Sequence, residues 1–294
     1  MSAHRIARSL PPGLKDTGRS LAHRLGQTTR SWRVLPTFLI VGAQRCGTTS
    51  LFKALTQHPQ VRGPLLRKGV HYFDVAYDRG LDWYRGHFPL RIGTRATLLD
   101  ASDEPAVQVG ESSPYYLFHP LAAERIARDL PQVRLLVALR DPVERAYSAH
   151  SHERARGFET EDFPEAIALE EQRLAGQEEQ LVANPHLRLH SHQHHAYLHR
   201  GQYVEQLERL TRHVPRERIH IVESELLFRE PDQTLAGVLE FLGLPPHPAA
   251  RVTRNNAQPR CSMDPGLRAQ LREYFAPHDE RLAQWLGRPP AWRQ

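Results

Sequence analysis

Residues 38–51 combine the residue types that bind a phosphate-like anion. The apolar run Phe38 to Val41 precedes Gly42-Ala43-Gln44-Arg45-Cys46-Gly47, and the hydroxyl residues Thr48-Thr49-Ser50 follow. We call Gly42 to Ser50 the anion loop, because backbone N–H groups of such a loop and the N-terminus of the next helix point at the bound anion. Its glycine spacing matches the phosphate-binding loop of nucleoside triphosphatases. There a lysine follows the second glycine. Here Thr48 follows it and the cation is Arg45, which predicts an anion shorter than a triphosphate.

The elements that hold this loop alternate between strand and helix. Short apolar runs predict buried strands at Thr37 to Val41, Val107 to Gly110, Val133 to Leu139 and Ile219 to Val222. Apolar residues at helical spacing predict helices at Thr48 to Gln57, Pro120 to Leu130, Pro142 to Arg156 and Thr234 to Leu242. This alternation predicts an α/β fold with a doubly wound parallel sheet and helices on both faces.

Three further regions complete the predicted organisation. Residues 1–33 have the composition of a basic, flexible arm, within which Leu14 to Leu25 could instead form an amphipathic helix against a membrane or an acidic polymer. Residues 34–294 are expected to form one domain, since their length suits one large core. The polar stretch Phe163 to Arg200 predicts a helical insertion beside the sheet, and Asp264 to Phe275 and Pro277 to Leu286 predict a final helix pair.

Composition limits the compartment and the partners. The 294 residues carry a formal charge of +6, which suits an anionic nucleotide, an acidic polymer or a membrane surface equally well. Two cysteines, Cys46 and Cys261, provide neither a disulfide framework nor a zinc spacing. Cys46 lies beside Arg45, where a cation and the helix dipole could lower the pKa of its thiol, but no catalytic use follows. No run approaches the roughly 18 apolar residues of a membrane span. We therefore expect a soluble cytoplasmic protein without an integral membrane segment.

The anion loop resembles the 5′-phosphosulfate loop of sulfotransferases that use 3′-phosphoadenosine 5′-phosphosulfate (PAPS). Three later segments follow in the order found in that family, and the match covers roughly residues 36–288. Val133 to Ser148 resembles the strand, turn and helix that hold the 3′-phosphate, and Lys68 to Phe88 resembles a block of heparan-type and related bacterial members. Arg200-Gly201-Gln202-Tyr203 resembles the segment before the fourth strand.

The resemblance implies sulfuryl transfer from PAPS to a hydroxyl or amine. Residues Gln44, Arg45, Cys46, Gly47, Thr48, Thr49 and Ser50 would hold the 5′-phosphosulfate, and Arg140, Ser148, Tyr203 and Arg260 would hold the rest of the donor. Arg45 stands where the family usually has a lysine. Because a guanidinium stays charged, Arg45 is expected to stabilise negative charge rather than to donate a proton. Without a role in binding the donor, Arg140-Asp141 would be an ordinary ion pair at the protein surface.

The general base is the point at which the sequence departs from the family. Heparan-type members place a glutamate where this chain has Gly69. Two candidates remain open. His71 has an ordinary pKa suited to proton abstraction near neutrality, and Glu111 follows a predicted strand at the end where such sheets bind ligands. Lys68 is the fourth candidate catalytic residue, facing the sulfate or the acceptor.

A cluster of histidines is the one feature that suggests a metal. Its members are His186, His190, His192, His194, His195 and His199. His190 and His194, like His195 and His199, have the i,i+4 spacing of zinc ligands on a helix. No cysteine or acidic residue is interleaved, and sulfuryl transfer needs no metal. We expect no metal site and interpret the cluster as a solvated or acceptor-facing surface.

Two other function classes stay open. A small-molecule kinase would use the same loop with a triphosphate and a magnesium-binding acid, for which Glu111 and Glu223 are the candidates. A non-catalytic binder of anionic polymer or nucleic acid would rest on the spread arginines alone. Our prediction is a sulfotransferase without a nucleic-acid partner. Its acceptor is expected to be a glycan, with small metabolites, lipids and peptides as alternatives.

Overall fold

A five-stranded parallel sheet carries the anion loop in the computed structural model, which describes residues 24–91, 107–248, 251–253 and 262–294. The strands are β1 (Phe38–Gly42), β2 (Val61–Arg62), β3 (Gln108–Ser112), β4 (Arg134–Leu139) and β5 (Ile219–Glu223). Their order is β2-β3-β1-β4-β5, with every neighbouring pair parallel. The strand of the anion loop is therefore central, with Leu39 paired to Glu111 on one side and to Leu135 on the other.

Helices connect and cover the strands. They are α1 (Thr48–Leu55), α2 (Tyr72–Val75), α3 (Leu81–Arg85), α4 (Ala122–Asp129), α5 (Pro142–Ala155), α6 (Phe163–Ala168), α7 (Glu170–Leu174), α8 (Gln177–Ala183), α9 (His190–His194), α10 (Tyr203–Thr211), α11 (Ser224–Arg229), α12 (Pro231–Leu242) and α13 (Pro265–Leu286). The stretch predicted as a helical insertion consists of the short helices α6 to α9.

The sequence of β1 explains why it lies in the middle. All five residues are buried, and side chains alternate between the two faces of the sheet. Phe38 and Ile40 pack in one apolar cluster with α1 and α12, whereas Leu39 and Val41 pack in a second cluster on the opposite face. A strand covered on both faces has no polar side, which is why it reads as a continuous apolar run.

The predicted fold class is confirmed, and each predicted strand lies within two residues of an observed one. The predicted final helix pair is wrong, because α13 runs unbroken from Pro265 to Leu286 with Pro277 inside it. A proline removes one backbone hydrogen bond and usually breaks a helix. Here Leu271, Phe275 and Leu282 lie on both sides of the proline and are all buried, so core packing holds the two halves in one helix.

The boundary of the predicted arm also needs correction. Residues 24–33 lie against the domain: Gln27 donates from Nε2 to the Trp83 carbonyl at 3.1 Å, and Arg33 donates from Nη1 to the Phe88 carbonyl at 2.5 Å. Arg33 is buried. Residues 1–23, the rest of the predicted arm, lie outside the described residues. Among the described residues, no helix is both long enough and apolar enough to cross a membrane.

Gly110 provides a test of this packing. A Cβ atom at Gly110 would lie 2.3 to 2.4 Å from ring atoms of Phe38, its partner on the neighbouring strand. We expect Gly110→Ala to lower the free energy of unfolding by about 1–3 kcal/mol, since overpacking a buried site forces side chains off their preferred positions. Urea unfolding followed by circular dichroism measures the change.

Gly237→Ala is the matched control. Gly237 lies within α12, and the nearest atom to its added Cβ would be His220 Cε1 at 3.9 Å. This variant should be neutral or more stable by up to about 1 kcal/mol, because alanine favours the helix. Equal effects of the two substitutions would contradict the packing argument.

Candidate functional site

A cavity of about 640 Å³ lies at the carboxyl ends of the strands. It is lined by the anion loop, by the ends of β3, β4 and β5, and by residues of α5, α9 and the loop before α2. This end of a parallel α/β sheet is where such folds bind ligands. Of the described residues that line it, the cations are Arg45, Arg67, Lys68, Arg140, Arg156 and Arg200, and the one carboxylate is Glu225. The cavity is built for an anion.

The anion loop has the backbone geometry expected of a cradle. Gly47 adopts a left-handed conformation (φ 80°) and provides no side chain to cap α1, which begins at Thr48. Arg45 is one of two described non-glycine residues with positive φ (71°). An ordinary N-cap side chain would occupy the first-turn N–H groups of the helix, and glycine leaves that position to a ligand. Six residues of the anion loop line the cavity: Gln44, Arg45, Gly47, Thr48, Thr49 and Ser50.

Neighbouring polar groups hold two arginines of the cavity, Arg45 in the anion loop and Arg140 after β4. Arg45 donates from Nε to Ser148 Oγ at 3.1 Å, and Arg140 approaches Glu144 at 3.5 Å. Asp141 caps α5 by accepting hydrogen bonds from the N–H groups of Val143 and Glu144. Arg140 therefore pairs with Glu144, whereas Asp141 caps the helix. Arg45, Arg140 and Ser148 all line the cavity.

Cys46 and Tyr203 lie behind the loop rather than in the cavity. Cys46 is fully buried, and its Sγ lies 3.5 Å from the Tyr203 hydroxyl, which donates to the Arg140 carbonyl at 2.8 Å. Burial raises the pKa of the Cys46 thiol to about 11, so the lowered pKa considered for a loop cysteine is wrong. Both side chains support the backbone of the loop and of Arg140. Arg260 lies outside the described residues.

Glu111 is a buried hub. Its carboxylate is fully buried and accepts hydrogen bonds from the hydroxyls of Tyr84 (2.8 Å), Tyr116 (2.7 Å) and Ser113 (2.7 Å) and from the Val70 N–H (2.6 Å). Burial raises the pKa of Glu111 above its ordinary value, although these four donors oppose the rise. With both oxygens occupied and no lining position in the cavity, Glu111 positions the loop before α2 and is not placed as a base.

His71 lines the cavity and is paired with a carboxylate. Its Nδ1 lies 2.7 Å from Oδ2 of Asp74, whose side chain is fully buried. Burial is the largest influence and lowers the pKa of His71, but the charge and hydrogen bond of Asp74 and the charge of Glu111 together outweigh it. The pKa therefore lies above 6.5. With Nδ1 held by Asp74, Nε2 is the ring nitrogen left to act on a molecule in the cavity.

Lys68 and Gly69 complete this wall. Lys68 donates from Nζ to Ser112 Oγ at 3.2 Å, and burial lowers its pKa to about 8, although the charge of Glu111 opposes the fall. A Cβ atom at Gly69 would lie 2.5 Å from the Ser112 carbonyl oxygen. The backbone of this loop is too close to β3 for any larger residue.

Comparison with known proteins identifies the family. The model of the sulfotransferase domain family matches residues 35–263. The chain belongs to the sulfotransferase family. A solved sulfotransferase from Alicyclobacillus acidocaldarius is 30% identical with a TM-score of 0.65, covering 89% of this chain and 100% of that one. The present chain is 25% identical to the membrane-associated sulfotransferase kil1 of Dictyostelium discoideum and 26% identical to human heparan sulfate glucosamine 3-O-sulfotransferase 3B1. The matches cover 88% of this chain and 67% and 65% of those two relatives, respectively.

Sequence reasoning missed three residues of this sulfotransferase site. Glu225 and Phe228 line the cavity from α11, and the Gln44 side chain is tied to Glu153 at 3.2 Å. Glu225 and Phe228 could have been found from their position just after β5, because predicted site residues also follow the carboxyl ends of other strands of the sheet. For Glu153 no such signal exists, because a glutamate within a helix is ordinarily exposed.

The histidine cluster is divided by the sulfotransferase fold. His194 lines the cavity, whereas His192 is buried and its Nδ1 lies 2.7 Å from the Tyr115 hydroxyl. His199 is paired with Glu170 at 2.9 Å. The expectation of a solvated surface is wrong for His192, and the acceptor-facing alternative fits His194. In the described ranges no group of three or more His, Cys, Asp or Glu side chains is arranged to hold a metal ion.

The His71 pair yields a titration prediction. In carbon-13-labelled wild-type protein, the His71 ring should titrate above pH 6.5, because the ionised Asp74 favours the imidazolium. The Asp74→Asn variant removes that charge while burial remains, so the pKa should fall below the wild-type value. Because the pKa of His71 is higher in the folded state than in the unfolded state, His71 stabilises the fold fully below pH 6.5. This stabilisation is lost as pH rises through the folded-state pKa.

Nuclear magnetic resonance of the ring Cε1–H signal measures both values, with His71→Gln identifying the resonance. An unchanged pKa in Asp74→Asn would show that the pair does not control His71.

Proposed function

We propose that this sulfotransferase transfers the sulfuryl group of PAPS to a hydroxyl or amine of a carbohydrate acceptor. The observation that carries the proposal is the combination of an anion loop lacking the triphosphate lysine with a second arginine site, Arg140, at the same cavity. PAPS differs from ordinary adenine nucleotides by its 3′-phosphate, and a second arginine beside the anion loop suits a donor with a second anionic group.

The residues present fit that donor. The N–H groups of Gly47 to Ser50 and the hydroxyls of Thr48 and Thr49 would hold the 5′-phosphosulfate at the start of α1. Arg140 and Ser148 would hold the 3′-phosphate. Phe228 lies beside Gly47, with ring atoms 3.6 and 3.7 Å from the position of an added Cβ, and offers an aromatic face for the adenine.

His71 is the base in this proposal. The acceptor hydroxyl gives its proton to Nε2 of His71 as its oxygen forms a bond to sulfur, and the bond between sulfur and the 5′-phosphate oxygen breaks. Asp74 fixes the ring and stabilises the imidazolium that forms. The electron pair of the broken bond stays on the 5′-phosphate, which leaves as part of 3′,5′-adenosine bisphosphate. Glu111 acts only through the loop it holds.

Two cations would stabilise the negative charge that develops during sulfuryl transfer. Arg45 lies in the anion loop, where charge grows on the leaving phosphate, and it stays charged at any working pH. Lys68 lies on the wall of His71. With a pKa of about 8, it is mostly charged at neutral pH and loses its charge above that value. The proposed reaction therefore has a pH window, bounded below by the deprotonation of His71 and above by the deprotonation of Lys68.

A carbohydrate acceptor is supported by a relative and by the character of the cavity. One relative is named as acting on heparan sulfate glucosamine. The cavity is also lined by the polar side chains of Arg67, His152, Arg156, Gln193 and His194, which suit a hydroxyl-rich molecule better than an apolar one. The proposed cytoplasmic location rests on the cysteine content and on the lack of a long apolar run in the sequence, whereas another relative is named membrane-associated.

The kinase alternative finds less support. Of its two candidate magnesium ligands, Glu111 is fully occupied by four donors. Glu223 is fully buried and pairs with Arg288 and the Ala291 N–H. Neither of these carboxylates lines the cavity.

The donor assignment is tested by calorimetric titration with 3′,5′-adenosine bisphosphate, 5′-AMP and magnesium ATP. We expect micromolar binding of the bisphosphate alone. Arg140→Ala should weaken it by at least about tenfold, because a charge-assisted hydrogen bond to phosphate contributes roughly 1.5–3 kcal/mol.

Arg154→Ala is the charge-matched control, since Arg154 lies on α5, the helix that follows Arg140, is exposed and donates to the Glu161 carbonyl. It should bind the bisphosphate like the wild type. Tighter binding of magnesium ATP than of the bisphosphate would instead favour a kinase, and binding of all anions that disappears with salt would favour a polymer binder.

The base assignment is tested by sulfur-35 transfer from labelled PAPS to a panel of heparan sulfate oligosaccharides, a neutral oligosaccharide and a phenol. His71→Gln should lower the transfer rate by about 10²–10⁴-fold while leaving bisphosphate binding unchanged, because a positioned base contributes that much. The low-pH limb of the wild-type rate should follow the His71 pKa.

Glu111→Gln is the informative comparison. It retains the shape of the carboxylate, so any loss should come with a lower melting temperature. A variant that retains stability but loses all transfer would move the role of base from His71 to Glu111. Gly69→Glu in the His71→Gln background should restore nothing, since the Ser112 carbonyl occupies the space.

A further inference from the structure

The side chain of Gln44, the second residue after Gly42 in the anion loop, is held on both ends. Its Nε2 donates to Glu153 Oε1 at 3.2 Å, and its Oε1 accepts from Nη1 of Arg200. Glu153 belongs to α5, and Arg200 follows α9. One amide side chain of the anion loop thus joins two other elements that line the cavity.

Both partners of Gln44 lead to the same short segment. Glu153 Oε2 accepts from His194 Nδ1 at 3.0 Å and from Arg156 Nη1 at 3.3 Å. Arg200 donates from Nη2 to the carbonyls of His192 (2.9 Å) and Gln193 (2.8 Å). The hydrogen bonds therefore close into a ring that runs from Gln44 to residues 192–194 and back. We call this ring, formed by Gln44, Glu153, Arg200 and residues 192–194, the Gln44 clasp.

The clasp is buried although it is charged. Glu153 is 1% exposed and Arg200 is 3% exposed. The Arg200 guanidinium lies between the rings of Tyr115 and Phe118, with 4.9 Å to each centroid. Burial raises the pKa of Glu153, but His194 and Arg156 outweigh it and hold the pKa below its ordinary value, so the carboxylate stays charged. Because water barely reaches the charged groups of Glu153 and Arg200, each can move only together with its hydrogen-bond partners.

The clasp connects the two functional halves of the cavity. Gln44 precedes Arg45, so a ligand in the anion loop acts on the clasp at its first member. Gln193 and His194 line the wall where the proposed acceptor would lie. We infer that the Gln44 clasp couples donor binding to the acceptor wall: a ligand in the anion loop orders residues 192–194 through Gln44. This inference rests on the proposed function only for the identity of the two ligands.

A purely structural clasp predicts a different result. If Gln44, Glu153 and Arg200 only stabilise the fold, removing the Gln44 links lowers the melting temperature and leaves the effect of a ligand on residues 192–194 unchanged. Coupling predicts that the ligand effect itself disappears. The distinguishing measurement is therefore ligand-dependent protection of the wall, which needs no knowledge of the acceptor.

The test is hydrogen–deuterium exchange of the full chain, read in peptides covering residues 190–201, with and without saturating 3′,5′-adenosine bisphosphate. In the wild type, the ligand should slow exchange in this segment by at least about fivefold, the lower end of typical coupling. Gln44→Met preserves the size of the side chain and removes both hydrogen bonds. The bisphosphate is added to this variant at a concentration that again saturates the anion loop, where it should protect the loop but no longer protect residues 190–201.

Gln193→Met is the matched control, because it makes the same chemical change on the wall itself while the clasp uses only the Gln193 carbonyl. It should retain the ligand-dependent protection. Glu153→Gln, which retains shape and loses charge, serves as a second variant if Gln44→Met does not fold, and it should lose most of the protection.

Inorganic pyrophosphate is used as a second probe so that the two proposals can fail separately. If pyrophosphate protects the segment through Gln44 but the bisphosphate does not bind, the clasp stands and the PAPS assignment fails. Protection of the anion loop by either probe, without protection of residues 190–201 in the wild type, would overturn the coupling. So would protection that persists unchanged in Gln44→Met.

Discussion

One buried carboxylate, that of Glu111, fixes the wall that carries Lys68 and His71. The group lies at the end of β3, where burial alone would favour its neutral form. Four donors from three different parts of the chain surround it, and one of them is the backbone N–H of Val70. Removing a partner from such a group costs several kcal/mol, so the loop before α2 has one position relative to the sheet. The position of the proposed base follows from that constraint.

The same constraint explains the departure of the chain from its heparan-type relatives. Because Val70 is drawn to Glu111 and the Lys68 carbonyl accepts from the Ser112 N–H at 2.7 Å, the backbone at residue 69 runs against β3. Only glycine fits there. A larger residue is therefore excluded at this position for a steric reason, and the proposed base is the next side chain that lines the cavity. His71 is that side chain, already paired with Asp74.

The sequence predicted the parts of this architecture that depend on local pattern. Continuous apolar strands and the glycines of the anion loop have local causes, so β1, β4 and the loop were placed within a residue or two. The environment of a side chain is not local. Glu111 and His71 were equal candidates for the base because nothing in the sequence shows that Tyr84, 27 residues away, donates to one of them. Cys46 was misjudged for the same reason, since its burial depends on Tyr203.

The two walls of the cavity are held by hydrogen-bond networks of opposite design. The Glu111 hub ties Lys68 and His71 to the sheet and includes no residue of the anion loop, so its geometry does not depend on a ligand there. The Gln44 clasp ties residues 192–194 to the anion loop itself, so its geometry does. A base must be in position whenever both substrates are bound, which favours a rigid support. An acceptor wall gains from responding to the donor, because a transferable group exists only when the donor is present. The placement of one network on the sheet and the other on the loop gives this sulfotransferase both properties from buried polar side chains alone.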